Sequence, residues 1–231
     1  MKLPHRLYCF SPPVMLATFF IELALIGWAL WRYRADTLVK TVIAILVLLA
    51  IFQYAEYNVC EGSMGLDSLT WSRVGYVAIT FLPVLGIHAL LQIAKQQRSL
   101  VVTALYTIAS VFAGYFLTIG HGVTSSVCTG NYVIFEVNPH INTLYMLYYY
   151  GLELFALVLA VRLGRMSTRQ KTKKALYGLA FGYLCLLVPT TTINLLDPET
   201  TRGIPSIMCG FAVLLAWVLV ALVLPPIARR R

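Results

Sequence analysis

Long apolar runs separated by short polar breaks dominate the chain from residue 12 onward. Seven runs stand out, over residues 12–31, 40–58, 73–94, 99–119, 141–161, 174–195 and 204–224. Each is close to the roughly 20 residues that a helix needs to cross the hydrocarbon core of a bilayer. Each must be helical, because an unpaired backbone group in lipid costs several kcal/mol and a helix satisfies its own. A barrel would instead show alternating segments of about ten residues, and the chain has none. The pattern therefore predicts an all-α integral membrane protein, a single seven-transmembrane helix bundle over residues 1–231.

Composition agrees, with 59% hydrophobic and 12% charged residues and a mean hydropathy of +0.78. The first run could be confused with a cleaved leader. It carries Glu22 and continues into Trp31 and Arg32 where a leader would have small residues, so a permanent helix is expected. No extramembrane catalytic module is expected in the connections or beyond the seventh run.

The net charge of +9 is distributed by topology. Arg32, Arg34 and Lys40 flank the first connection, Lys95 and Arg98 the third, six basic residues from Arg162 to Lys174 the fifth, and Arg229, Arg230 and Arg231 close the chain. Basic residues on alternate connections predict that these are cytoplasmic, with the N-terminus outside and the C-terminus inside. Glu61, Asp67, Glu136, Asp197 and Glu199 fall in or beside the opposite connections, and only Asp36 lies on the basic side. Lys2 and Arg6 run against the trend in a short tail. Topology and contact with anionic lipid account for the charge, so nucleic acid is not expected as a partner.

Ionisable groups within the runs are the functional candidates, because hydrocarbon penalises them. Glu22 lies halfway along the first run, either as a neutral acid bonded to a neighbouring helix or as a ligand or proton site. Gln53, Glu56, Tyr57 and Cys60 share one helical face by their i, i+3, i+4, i+7 spacing, which must look into the bundle. Glu56 is placed to accept from tyrosines or to clasp Arg73, and the clasp and a ligand site remain open alternatives. Tyr149 and Glu153 share a face at i, i+4, together with Tyr145. Trp71 sits where an interfacial anchor is expected. Pro83 predicts a kink in the third run, and Pro189 another in the sixth, near Thr190, Thr191, Thr192 and Asn194.

Two cysteines, Cys60 and Cys128, fall on the outer, oxidising side of this topology and predict a disulfide, two free thiols being the alternative. Cys185 and Cys209 read as small core residues and Cys9 as unpaired. The Asn131 to Phe135 run after Cys128 alternates as a short strand or lid would. His5, His88, His121 and His140 are too scattered for a zinc site, so no metal or cofactor is expected, and His88 reads as a packed, hydrogen-bonded residue. The seventh run contains no lysine, which removes a retinal-type Schiff base from consideration.

Several of these features together resemble the seven-transmembrane N-terminal sensor module of bacterial histidine kinases. They are Glu56 within Gln53-Tyr-Ala-Glu-Tyr, Trp71-Ser-Arg-Val-Gly-Tyr followed by Pro83, Arg169-Gln170 with Gly178 and Pro189, and Ile204-Pro205. The resemblance covers nearly the whole chain. It implies a multi-pass protein of the plasma (inner) membrane that senses a small molecule or a membrane state. The resemblance departs in that no kinase, cyclase or dimerisation helix is read after the seventh run, so the chain is expected either to be the sensor part alone or to work through a separate cytoplasmic partner. The expected ligand site opens outward and is lined by Glu56, Tyr57, Trp71, Arg73 and Tyr149, with Glu22 and Glu153 deeper. An intramembrane metal-dependent lipid hydrolase and a proton or small-solute carrier using Glu22, Glu56 and Glu153 are the competing classes.

Overall fold

The structure is a computed structural model that describes residues 11–62, 65–96, 98–118, 122–129 and 131–231. Lys2, His5, Arg6, Cys9 and His121 lie outside the described residues. The chain is 83% helical, and among the described residues seven helical spans are long and apolar enough to cross a membrane. They follow the seven predicted runs, most of them extended by a few residues at one or both ends.

Helix α1 (Pro12–Arg32) begins with two prolines, whose missing N–H groups cost nothing in a first turn. Helix α2 (Thr37–Glu61) is capped by Asp36, whose Oδ1 accepts from the Val39 amide at 3.0 Å. It ends at Gly62, where φ is 65°, the left-handed conformation a helix end favours. The third span is two helices, α3 (Ser68–Thr80) and α4 (Leu82–Ile93). The break comes at Phe81, two residues before Pro83, because the proline occupies the first turn of a new helix instead of kinking a continuous one. Tyr148 donates to the Thr80 carbonyl at the break, 2.7 Å away.

Helices α5 (Ser99–Thr118), α6 (Pro139–Met166) and α7 (Gln170–Leu196) follow. Around Pro189 in α7, Thr190 and Thr192 donate to the Leu186 and Val188 carbonyls, both at 2.8 Å. A 3-10 turn over Pro198–Gly203 leads into α8 (Ile204–Val218). A π-helical turn at Leu219–Val223 and the short α9 (Leu224–Ile227) complete the seventh span.

Helix α2 is the axis of the bundle, packed against α1, α3, α4 and α8. Helices α6, α7 and α8 continue around it, and α8 returns to α1, while α5 lies outside α3 and α4. The burial of each span follows: the second, third and seventh are the most enclosed, and α1, α5 and α6 present broad apolar faces outward.

The all-α expectation needs one correction. Between α5 and α6 the chain forms an antiparallel hairpin, β1 (Val123–Cys128) and β2 (Val133–Val137), with Cys128 opposite Val133. The strand or lid expected after Cys128 is β2. Its partner β1, Val-Thr-Ser-Ser-Val-Cys, is too polar and too short to announce itself. Val123, Val133 and Phe135 point into the bundle while Glu136 stays out, the period of two that a half-buried ribbon requires. Phe135 packs against Phe52 of α2 and Tyr76 of α3, at ring separations of 5.9 and 5.4 Å. Cys60 and Cys128 form the expected disulfide, with Cα atoms 5.2 Å apart, and so tie the hairpin to the end of α2.

At the opposite end, the Arg34 amide donates to the Arg229 carbonyl and the Arg231 amide to the Arg32 carbonyl. This backbone pairing draws five arginines of the first connection and the C-terminal segment together.

Candidate functional site

The polar face predicted on α2 does look inward, with Gln53 and Glu56 about 1% exposed and Tyr57 and Cys60 half-buried. Gln53 reaches α8, donating from Nε2 to the Cys209 carbonyl at 2.8 Å. The Glu56 carboxyl accepts from the Ser206 hydroxyl, one turn before Cys209 on α8. Ser206 Oγ in turn accepts the Val133 amide of the hairpin at 3.1 Å. A continuous polar path thus runs from the hairpin through the head of α8 to the acid on α2.

Two more acids approach the same place. Glu22 of α1 is fully buried and within electrostatic reach of Glu56. Glu153 of α6 is about 3% exposed and accepts from the Tyr149 hydroxyl, one helical turn earlier. All three carboxyls are within electrostatic reach of the Cys209 thiol of α8. Both oxygens of Glu22, Oε1 of Glu56 and Oε2 of Glu153 are buried with no hydrogen-bond partner. An enclosed cavity of about 20 Å³ lies between Glu153, Tyr149, Tyr183, Cys209 and the Pro83 region, a space for about one water molecule.

The expected ligand set therefore divides. Tyr149 and Glu153 line one cavity with Cys209, and Glu22 and Glu56 are buried within electrostatic reach of that cysteine. Trp71 is occupied elsewhere, its ring edge-on to Tyr54 at 5.6 Å, with Nε1 buried and without a partner. Tyr57 packs at the margin of the core. No ion pair joins Glu56 and Arg73, so the clasp is not formed. The buried face of α3 includes Trp71, Ser72, Gly75, Tyr76 and Ile79, and a Cβ added at Gly75 would stand only 3.3 Å from the Phe52 ring. Arg73 lies off that face, and its charge acts on Asp67 at the start of α3.

Sequence reasoning missed Cys209 and Ser206. Both sit in the most apolar span, and only their contacts with Gln53 and Glu56 distinguish them. It also missed an open cleft of about 440 Å³ at the hairpin end, where Tyr76, Phe135, Glu136, Asn142, Met146 and Arg202 face one space. The cleft is within the size range of small-molecule sites. Beside Arg202, the Tyr132 ring lies against Gly203 so closely that a Cβ there would overlap it. Burial, with Asp197 and Glu199 adding to it, raises the Tyr132 phenol above its ordinary value.

His88 is packed and hydrogen-bonded as expected, with Nδ1 3.1 Å from the Tyr106 hydroxyl and Nε2 2.9 Å from the Gln92 amide nitrogen. Among the described residues, no three His, Cys, Asp or Glu side chains converge in a way that would hold a metal ion. No family model matches the chain, and no curated protein matches it.

Proposed function

We propose that the protein is a membrane sensor of receptor type whose responsive core is the carboxyl cluster of Glu22, Glu56 and Glu153. The observation that carries this reading is that three acids, from α1, α2 and α6, are all buried in one bundle interior, at 0%, 1% and 3% exposure. Structural acids would pair off; these leave carboxyl oxygens buried and unpartnered, an arrangement that costs stability and marks a functional site. A small cationic or amine-bearing ligand supplies the missing donors. It enters from the hairpin side through the cleft at Tyr76, and its capture shifts the broken α3/α4 span and the proline-containing α7.

The disulfide supports placing the hairpin end on the oxidising outer side, and the basic connections support placing the other end in the cytoplasm. The N-terminus is then outside and the C-terminus inside, in a bacterial plasma (inner) membrane, with a separate cytoplasmic protein as the reader of the helix movement.

The test is a thermal-shift screen of the purified chain against small amines. At least one is expected to stabilise the wild type and to have no effect on Glu56→Gln; an undiminished response in a folded Glu56→Gln protein contradicts the reading. The unpartnered carboxyl oxygens also favour a second reading, a proton or cation carrier. Liposome flux that vanishes in Glu22→Gln would select it.

A further inference from the structure

Another open cleft is at the other end of the bundle and plays no part in the sensing site. It measures about 810 Å³ and lies between the start of α2, the end of α4 and the start of α5. His88 and Gln92 contribute to its wall, with Lys95, Arg98, Ser99 and Thr103. The Gln92 side chain touches His88 Nε2 with one end of its amide, and the other end, Oε1, is buried without a protein partner. Whichever way the amide is turned, one of its polar atoms is left without a protein partner.

Lys95 is held in this wall at a conformational cost. Its φ is 56°, and it is the only residue other than glycine with positive φ among those described. The Lys95 amide bonds to the Gln92 carbonyl at 3.1 Å and the Gln96 amide to the Leu91 carbonyl at 2.9 Å. This is the double-bonded helix ending at which glycine is the usual residue. A lysine kept where glycine fits better lines the cleft together with Arg98, Ser99 and Thr103. A point charge, a planar fork and two hydroxyl donors are the complement of a phosphate.

Asp36 also borders the cleft, but its Oδ1 is engaged as the cap of α2, and the paired arginines of Arg32–Arg34 and Arg229–Arg231 lie in the segments flanking it in space. The net field at this end is positive. The neighbouring face of α5 is apolar and exposed, with Leu100 at 83% exposure and Val101 beside it. A phosphate-binding mouth continuous with an apolar helix face matches an amphipathic ligand. We infer that this cleft binds the phosphate headgroup of an anionic glycerophospholipid, whose acyl chains lie along α5.

The test uses the full chain in neutral detergent, titrated with phosphatidylglycerol, phosphatidylcholine or inorganic phosphate, with bound lipid counted by native mass spectrometry. Phosphatidylglycerol is expected to bind at least tenfold more tightly than phosphatidylcholine. Lys95→Gly with Arg98→Gln is expected to remove at least a factor of ten of that affinity. Arg162→Gln with Arg165→Gln, on another basic connection, is expected to leave it within twofold. Lys95→Gly alone relaxes the backbone while removing the charge, so it keeps the fold and is expected to weaken binding at least threefold. Unchanged phosphatidylglycerol affinity in Lys95→Gly/Arg98→Gln, or equal retention of phosphatidylcholine, overturns the inference. Displacement of the lipid by millimolar inorganic phosphate would reassign the cleft to a free anion and overturn it as well.

Discussion

The Val133 amide, on the hairpin, and the Glu56 carboxyl, on α2, meet on one side chain, the hydroxyl of Ser206. The hydroxyl accepts from the first and donates to the second, so the position of the hairpin and the state of the acid are mechanically joined. Ser206→Ala leaves the buried Val133 amide without an acceptor and Glu56 without a donor. A loss of about 1–3 kcal/mol is expected for such an orphaned group, read as a fall in the unfolding midpoint. A midpoint equal to that of the wild type would show that the hydroxyl is dispensable.

A second coupling joins Gly86 of α4 to Tyr183 of α7. A Cβ at Gly86 would overlap the Tyr183 hydroxyl, and that hydroxyl is buried without a partner. Gly86→Ala is expected to destabilise by about 1–3 kcal/mol through overpacking. Tyr183→Phe alone removes an unsatisfied group and is expected to be neutral or stabilising. The double variant is expected to recover most of the Gly86→Ala loss. Additive effects in this cycle would place the clash elsewhere.

The α2 to α3 connection carries the acid sensitivity that can be assigned outside the spans. Asp67 is held below the usual carboxylate range, chiefly by the Thr70 hydroxyl and in smaller part by backbone amides and Arg73. A depressed folded pKa means that this contribution is complete above the ordinary Asp value, near 4. It is lost as pH falls through the lower folded value. Asp67 is fully exposed, so the effect is expected to be small and confined to acid pH. Thr70→Val is expected to flatten the acid limb of the unfolding midpoint below about pH 4 and to change nothing at pH 7. An unaltered acid limb would remove Thr70 as the cause.

Hydrophobic run length was enough to locate all seven long helices, because a 20-residue apolar stretch has few other solutions. The Cys60 and Cys128 pair was legible for a related reason, since alternating basic connections put both on one side. The inward turn of Gln53 and Glu56 followed from helical spacing alone. The clasp to Arg73 did not form because α3 meets α2 along Phe52 and Ala55, a choice made by Gly75 and invisible in the pattern of charges. The break falls at Phe81 because Pro83 takes the first turn of a new helix, and the donor that satisfies the Thr80 carbonyl there, Tyr148 of α6, is distant in sequence. Cys209 is the small core residue that the sequence implied, and only the packing of α2 against α8 brings its carbonyl to Gln53.

The central claim is that the hairpin covers an acid-lined site centred on Cys209, and the reactivity of that thiol tests it most directly. Cys185 and Cys209 are the free cysteines among the described residues. With Cys9 and Cys185 replaced by alanine and the disulfide retained, Cys209 becomes the single reactive thiol. Its modification by a small cationic methanethiosulfonate is expected to be slow, and at least tenfold faster once Cys60→Ser and Cys128→Ser release the hairpin. The cationic reagent is expected to outpace a neutral one of equal size, and Glu56→Gln to reduce that preference. Equal rates with the hairpin tethered and released, or no preference for positive charge, would contradict the claim.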